Sequence, residues 1–224
     1  MCFSATASFT AGAALSAVGA VTVRRSRGKA ELPLAAIPLL FGVQQISEGF
    51  LWVSLRHGMP NLASWSMYIF TAFSHVIWPI LIPFAILLVE TKRWRKSALR
   101  IFLGLGLAVG LYLLYFLITL PMTAQIYRNS IFYDTRHFYI YGVLALYLLA
   151  TCVSGLFSRH WCINVFGVLA FLLAVIAYEV SVKTFVSVWC FYAAVLSLLV
   201  LVHFTGTMQA HRPALARSRE RAQK

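Results

Sequence analysis

The chain has 224 residues, 61% of them hydrophobic and only 11% charged, with a mean hydropathy of +0.81. A water-soluble domain of that length needs far more polar residues to coat its core, so that class is excluded. The net charge of +13 suggests nucleic acid only until it is mapped. The cations sit at the ends of apolar runs, where they meet water and anionic headgroups, so the expected partner is the lipid bilayer and not nucleic acid.

Apolar runs of 18 or more residues recur along the chain, the length needed to cross about 30 Å of hydrocarbon. The alternating pattern of a barrel is missing, and helices are then what satisfies the backbone in lipid. The expected fold is an all-α polytopic bundle of about seven transmembrane helices, residues 1–207, followed by a basic and disordered tail, residues 208–224. The first span is read at 3–23, with Arg24, Arg25, Arg27 and Lys29 after it. A secretory signal would place its charges first. The second and third spans are read at 32–55 and 63–89, the third carrying Pro79 and Pro83. The fourth, at 101–120, offers Gly104, Gly106 and Gly110 as small faces for helix packing. A long loop at 121–137 precedes spans at 138–157, 163–182 and 185–205. Fifteen of the nineteen Lys and Arg fall on the side of the C-terminal tail, which places the tail in the cytoplasm and the N-terminus outside.

Ionisable residues inside spans are costly and mark functional sites by default. Glu48, His75, Glu179 and, less sharply, Cys190 occupy such positions in the outer half. Glu48 lies roughly 10 Å below the outer end of its helix, and His75 roughly 15 to 18 Å deep. Gln44 and Gln45 precede Glu48 by four and three residues and share its side of the helix. Ser74-His75 stands just before Trp78-Pro79, where the proline frees a carbonyl one turn earlier. Tyr178 adjoins Glu179. At the outer mouth lie Ser4 and Cys2, the latter a metal ligand or nucleophile if Met1 is removed. The inner half carries almost nothing comparable. The plainer readings are a neutral Glu48 that holds helices together and a Glu179 paired with Lys183 one turn on. His75 is then a satisfied core residue, and Cys152, Cys162 and Cys190 are packing. Trp52, Trp65, Trp161 and the tyrosines of the outer loop read as interface belts.

The opening Met-Cys-Phe-Ser-Ala, Met1 to Ala5, resembles an uncharacterised family of small bacterial multi-pass membrane proteins that begin with this motif. Gln45-x-x-Glu48-Gly49 is a second block of the resemblance. It implies a bacterial inner-membrane protein and transfers no activity.

Three functions compete. The first is a ligand site in the outer half that holds a metal through His75, Glu48 and Cys2, with Glu179 as ligand or general base. Such mixed N, O and S donors suit zinc or copper, and an enzyme built this way is a membrane metalloenzyme with Glu48 and Glu179 as its catalytic carboxylates. Gln44, Gln45, Ser4 and Tyr178 are the expected ligand-binding residues. The second is a transporter or small-ligand receptor in which Glu48 and Glu179 bind an ion or polar solute. The third is a structural or assembly subunit without chemistry.

Overall fold

The computed structural model describes residues 4–206. Cys2 and the tail expected at 208–224 lie outside the described residues. The chain forms α1 (Ala5–Arg25), α2 (Leu32–Ala35), α3 (Ile37–His57) and α4 (Pro60–Thr71), then a π-helical segment (Ala72–Ile77), α5 (Trp78–Val89) and α6 (Arg93–Thr119). Strands β1 (Ala124–Tyr127) and β2 (Ser130–Tyr133) and a 3-10 turn (Arg136–Tyr139) follow. The last elements are α7 (Tyr141–Thr151), a second 3-10 segment (Val153–Phe157), α8 (Trp161–Val180) and α9 (Phe185–Leu196).

Among the described residues six helical stretches are long and apolar enough to cross a membrane, namely Ala5–Arg25, Leu32–His57, Pro60–Val89, Arg93–Thr119, Trp161–Val180 and Phe185–Gly206. The chain is therefore a helical membrane protein. The apolar helix between the fourth and the sixth expected spans is shorter, Tyr141–Phe157. Its first expected residues go into the 3-10 turn, and its last five wind as 3-10 helix after Cys152. The fourth helix starts at Arg93, not at residue 101. Arg95, Lys96 and Arg100 are good helix formers and extend it past the hydrocarbon.

The stretch expected as an irregular loop contains an antiparallel hairpin, with Ala124 opposite Tyr133 and Tyr127 opposite Ser130. Its two-residue turn puts Arg128 at φ 53°, a left-handed conformation that tight hairpins require and that is strained for any residue with a Cβ. Side chains alternate across a strand, so Ile131 and Tyr133 are buried against the bundle while Phe132 between them is half-buried.

Helix punctuation follows the sequence. Ser4 caps α1 by accepting from the Ala7 amide at 3.2 Å. Gly58 closes α3 at φ 65°, and Pro60 opens α4 in its first turn. The prolines of the third span explain its π-helical segment and one close packing contact. In the π register an N–H bonds the carbonyl five residues back, so Pro79, which has none, leaves the Ser74 carbonyl bare. The Tyr147 hydroxyl donates to that carbonyl. Four residues on, Pro83 removes the donor for the Pro79 carbonyl. Gly106 of α6 packs directly on it, and a side chain at 106 would overlap the Pro79 oxygen. Gly110 also packs on this span, whereas Gly104 faces open space.

α1 lies along α3 through a glycine seam. A methyl at Gly12 would stand 2.6 Å from Ile46, and one at Gly42 2.5 Å from the Ser16 hydroxyl. At the end of this seam Thr22 donates to the Ala35 carbonyl at 2.6 Å. Close approach of backbones supplies dispersion contact where lipid offers no hydrophobic drive between helices.

The buried apolar residues form two cores. One, at the hairpin end, gathers Leu51, Trp52, Phe70, Tyr133, Tyr147 and Phe185. The other, toward the Glu90 end, gathers Leu34, Phe41, Trp78, Ile82, Leu99 and Phe204. On α3 the change from one core to the other falls between Phe41 and Leu51, and in the third span between Phe70 and Trp78. Gln44, Gln45, Glu48, Ser74 and His75, all buried, lie in those two intervals.

Candidate functional site

Four elements build the polar layer between the two cores. From α3 come Gln44, Gln45 and Glu48, each at most 2% exposed. Spacing of three and four residues puts them on one buried side of the helix. The π-helical segment brings Ser74 and His75. Ser187 and Cys190 come from α9, and Tyr133 reaches in from β2.

Glu48 accepts a hydrogen bond from the Ser187 hydroxyl at 2.6 Å. The Tyr133 hydroxyl points at the same oxygen from 3.5 Å, a long contact that adds little as a bond. Burial first, and then the nearby carboxyl, hold the Tyr133 phenol well above its ordinary range, so it stays a donor. Both partners of Glu48 are hydroxyls and neither is a cation. Gln44 accepts from the Trp78 indole at 2.8 Å, and Cys190 is buried in the same layer. The Nδ1 atom of His75 bonds the Ser74 hydroxyl at 2.8 Å, and the His75 ring lies 4.5 Å from that of Phe138.

Several buried polar atoms of this layer meet no protein partner. They are Nε2 of Gln44, both amide atoms of Gln45, the Trp52 indole N–H, the Thr71 hydroxyl and Nε2 of His75. A buried polar atom without a partner costs about 1 to 3 kcal/mol, so a native protein rarely keeps a group of them. They lie on α3 and on the third span.

The sequence-expected residues divide. Glu48, Gln44 and Gln45 come together, with Cys190 beside them, and His75 lies in the same layer with no bond to Glu48. Glu179 does not join them. It is exposed on α8 beside Tyr178, in a groove with Tyr141 and Leu144. Its expected partner Lys183 instead sits 5.1 Å from the Tyr127 ring. Tyr178 packs on Phe185 at 5.9 Å. Ser4 is occupied as a helix cap. No three His, Cys, Asp or Glu side chains gather to hold a metal among the described residues, and the third expected ligand, Cys2, lies outside them.

Sequence reasoning missed four participants. Tyr133 and Trp52, read as interface aromatics, are 1% exposed and face the interior, while Trp65 and Trp161 are exposed as a belt requires. The β-branched and aromatic run Ile131-Phe132-Tyr133 after the turn-forming Asn129 was the available signal for a strand. Tyr147 carried no signal beyond its apolar surroundings.

The fourth is Glu90, at the opposite end, where nothing comparable to the outer cluster was expected. It is 1% exposed and accepts from the amides of Thr91, Lys92 and Arg159 at 2.8, 3.0 and 2.8 Å, with Arg95 at 3.7 Å. Burial raises its pKa, but these donors and the Arg95 charge outweigh it and hold the carboxyl below its ordinary 4.5. Glu90 thus ties the end of α5 to the loop before α8.

A family model covers residues 1–217, so the chain belongs to the family described as a family of unknown function, DUF6629. No curated protein and no solved structure matches it.

Proposed function

We propose that this member of DUF6629 is a seven-span protein of the bacterial inner membrane that binds a small polar solute in the layer around Glu48. Its N-terminus lies outside and its basic tail in the cytoplasm. The charge count supports that orientation. A seventh crossing is supported by the two ends of the Tyr141–Phe157 stretch. It leaves the hairpin at one end and delivers Arg159 to Glu90 at the other. With eleven α-helical and five 3-10 residues it reaches about 26 Å, close to the hydrocarbon thickness.

The observation that carries the binding reading is Gln45. It is wholly buried, and neither amide atom has a protein partner. A subunit whose polar residues only hold helices together pairs those residues with one another, as Glu90 is paired. Here Glu48 orients through Ser187 and Tyr133, and Gln44, Gln45 and Trp52 offer the remaining donors and acceptors. The exposed Glu179 and the capped Ser4 have no part in this reading.

The test is a thermal-shift survey of the purified full-length protein against cations, amino acids, amides and sugars, run on the wild type and Glu48→Gln. At least one solute raises the melting temperature of the wild type and leaves Glu48→Gln unmoved. A panel that moves neither protein, with Glu48→Gln merely less stable, makes the layer structural. Elemental analysis of the same preparation decides the metal reading. An ion at one per chain that is lost in His75→Ala and Glu48→Gln would replace the solute by a metal.

A further inference from the structure

A cleft of about 220 Å³ opens at the hairpin end of the bundle, between the third span, the last turns of α6 and residues 134–138. Thr71 and His75 belong to its lining, and Leu113, Phe116, Leu117 and Phe138 supply apolar and aromatic walls. Neither Glu48 nor the two glutamines line it, so it meets the polar layer only at Thr71 and His75.

Two observations mark the cleft as built to take a ligand. First, Thr71 and His75 are 1% and 3% exposed, and the Thr71 hydroxyl and the His75 Nε2 atom meet no protein partner. Ser74 already engages the other ring nitrogen of His75 at 2.8 Å, which fixes the ring and leaves Nε2 as its working edge. The Thr135 hydroxyl, also on the lining, is likewise without a partner. Second, His75 sits in the π-helical segment, a conformation that concentrates at functional sites because it re-aims side chains at the expense of regular bonding.

The lining selects the ligand. The polar groups of the lining are the Thr71 and Thr135 hydroxyls, the His75 and His137 imidazoles and the Asp134 carboxylate, and the hydroxyls and imidazoles can meet neutral oxygen atoms. A carboxylate or phosphate head would be stripped of water against leucine and phenylalanine with no Lys or Arg on the lining to offset it. Asp134 on the lining disfavours carboxylate and phosphate heads. Aromatic side chains on two walls suit a flat ring. An apolar cavity of about 150 Å³ accepts benzene, so a cleft of about 220 Å³ holds one substituted ring. We propose that this cleft binds a neutral, membrane-soluble ring bearing hydrogen-bonding oxygens, of the quinone, quinol or phenol class. An oxygen of the ring meets Thr71 and His75, and the ring lies along Phe116 and Phe138.

The probe is a decyl-substituted benzoquinone titrated by calorimetry into the full-length protein in detergent micelles. Binding is saturable at one per chain in the wild type and is unchanged in Glu48→Gln. Thr71→Val, which removes an unpartnered hydroxyl and keeps the shape, weakens binding about tenfold, as does His75→Leu. Leu113→Trp fills the cleft and abolishes binding. Laurate and dodecyltrimethylammonium do not displace the probe. Uptake that never saturates, full affinity in Thr71→Val, or displacement by either charged amphiphile overturns the assignment. If Leu113→Trp does not fold, Thr71→Val decides alone, because losing an unmet buried hydroxyl leaves its melting temperature at or above that of the wild type.

Discussion

Two carboxylates are buried in this protein to nearly the same degree, Glu48 at 2% and Glu90 at 1% exposure, yet their surroundings differ. Glu90 receives three backbone amides and lies beside an arginine, so its hydrogen-bonding capacity is met by chain segments it fastens together. Glu48 receives a short bond from Ser187 and a long one from Tyr133, and the glutamines beside it keep unmet atoms. A buried charge held by several donors contributes to the fold, whereas a buried acid among incomplete partners is costly to keep, and the proposed solute would supply what is missing. Burial alone does not separate the two cases. The count of satisfied atoms does.

Five measurements break or sharpen that contrast. The largest effect is expected at Glu90, where Glu90→Ala strands three amides and lowers unfolding stability by about 3 kcal/mol. A loss under about 1 kcal/mol in denaturant titration of the purified protein would remove the contrast. The same residue sets an acid limit. Its folded pKa lies below the ordinary 4.5, so its contribution is complete above that pH and is lost as pH falls through the lower folded value. The melting temperature of the wild type therefore drops below about pH 4.5, and Glu90→Gln flattens that part of the profile. Next comes Gly106→Val, which drives a side chain into the Pro79 carbonyl and costs about 1 to 3 kcal/mol by overpacking. It tests whether the α6 contact fixes the third span.

The smallest stability changes belong to the polar layer. Gln45→Met removes two unmet atoms and raises solute-free stability by about 1 kcal/mol, while abolishing any solute-dependent thermal shift. A clear destabilisation would mean that Gln45 is satisfied in the native protein. Glu48→Gln changes solute-free stability by less than about 1 kcal/mol, since an amide still accepts from Ser187, yet it loses the thermal response to solute. A variant that unfolds would place Glu48 with Glu90.

The two aromatic readings show where local sequence stopped being informative. Trp52 and Trp65 look alike as aromatics near a helix end, but one is 1% and the other 72% exposed. Only the packing of α3 against its neighbours separates them. The hairpin carried its own signal in Ser130 to Tyr133, which a length-based reading passed over as loop.

The primary structure alone determined the helices, because a run of apolar residues long enough to cross hydrocarbon can satisfy its backbone in no other way. It also determined that polar side chains such as Glu48 and His75 lie inside those helices, because their places in the runs fix their depth. Which carboxylate is satisfied was decided by tertiary structure. The donors to Glu48 lie 85 and 139 residues along the chain, and one amide bound to Glu90 lies 69 residues along. Periodicity within one helix carries no information about atoms that distant. Helix packing brings them into reach, and there the Glu48 layer is left with atoms unmet while the Glu90 carboxylate receives three amides.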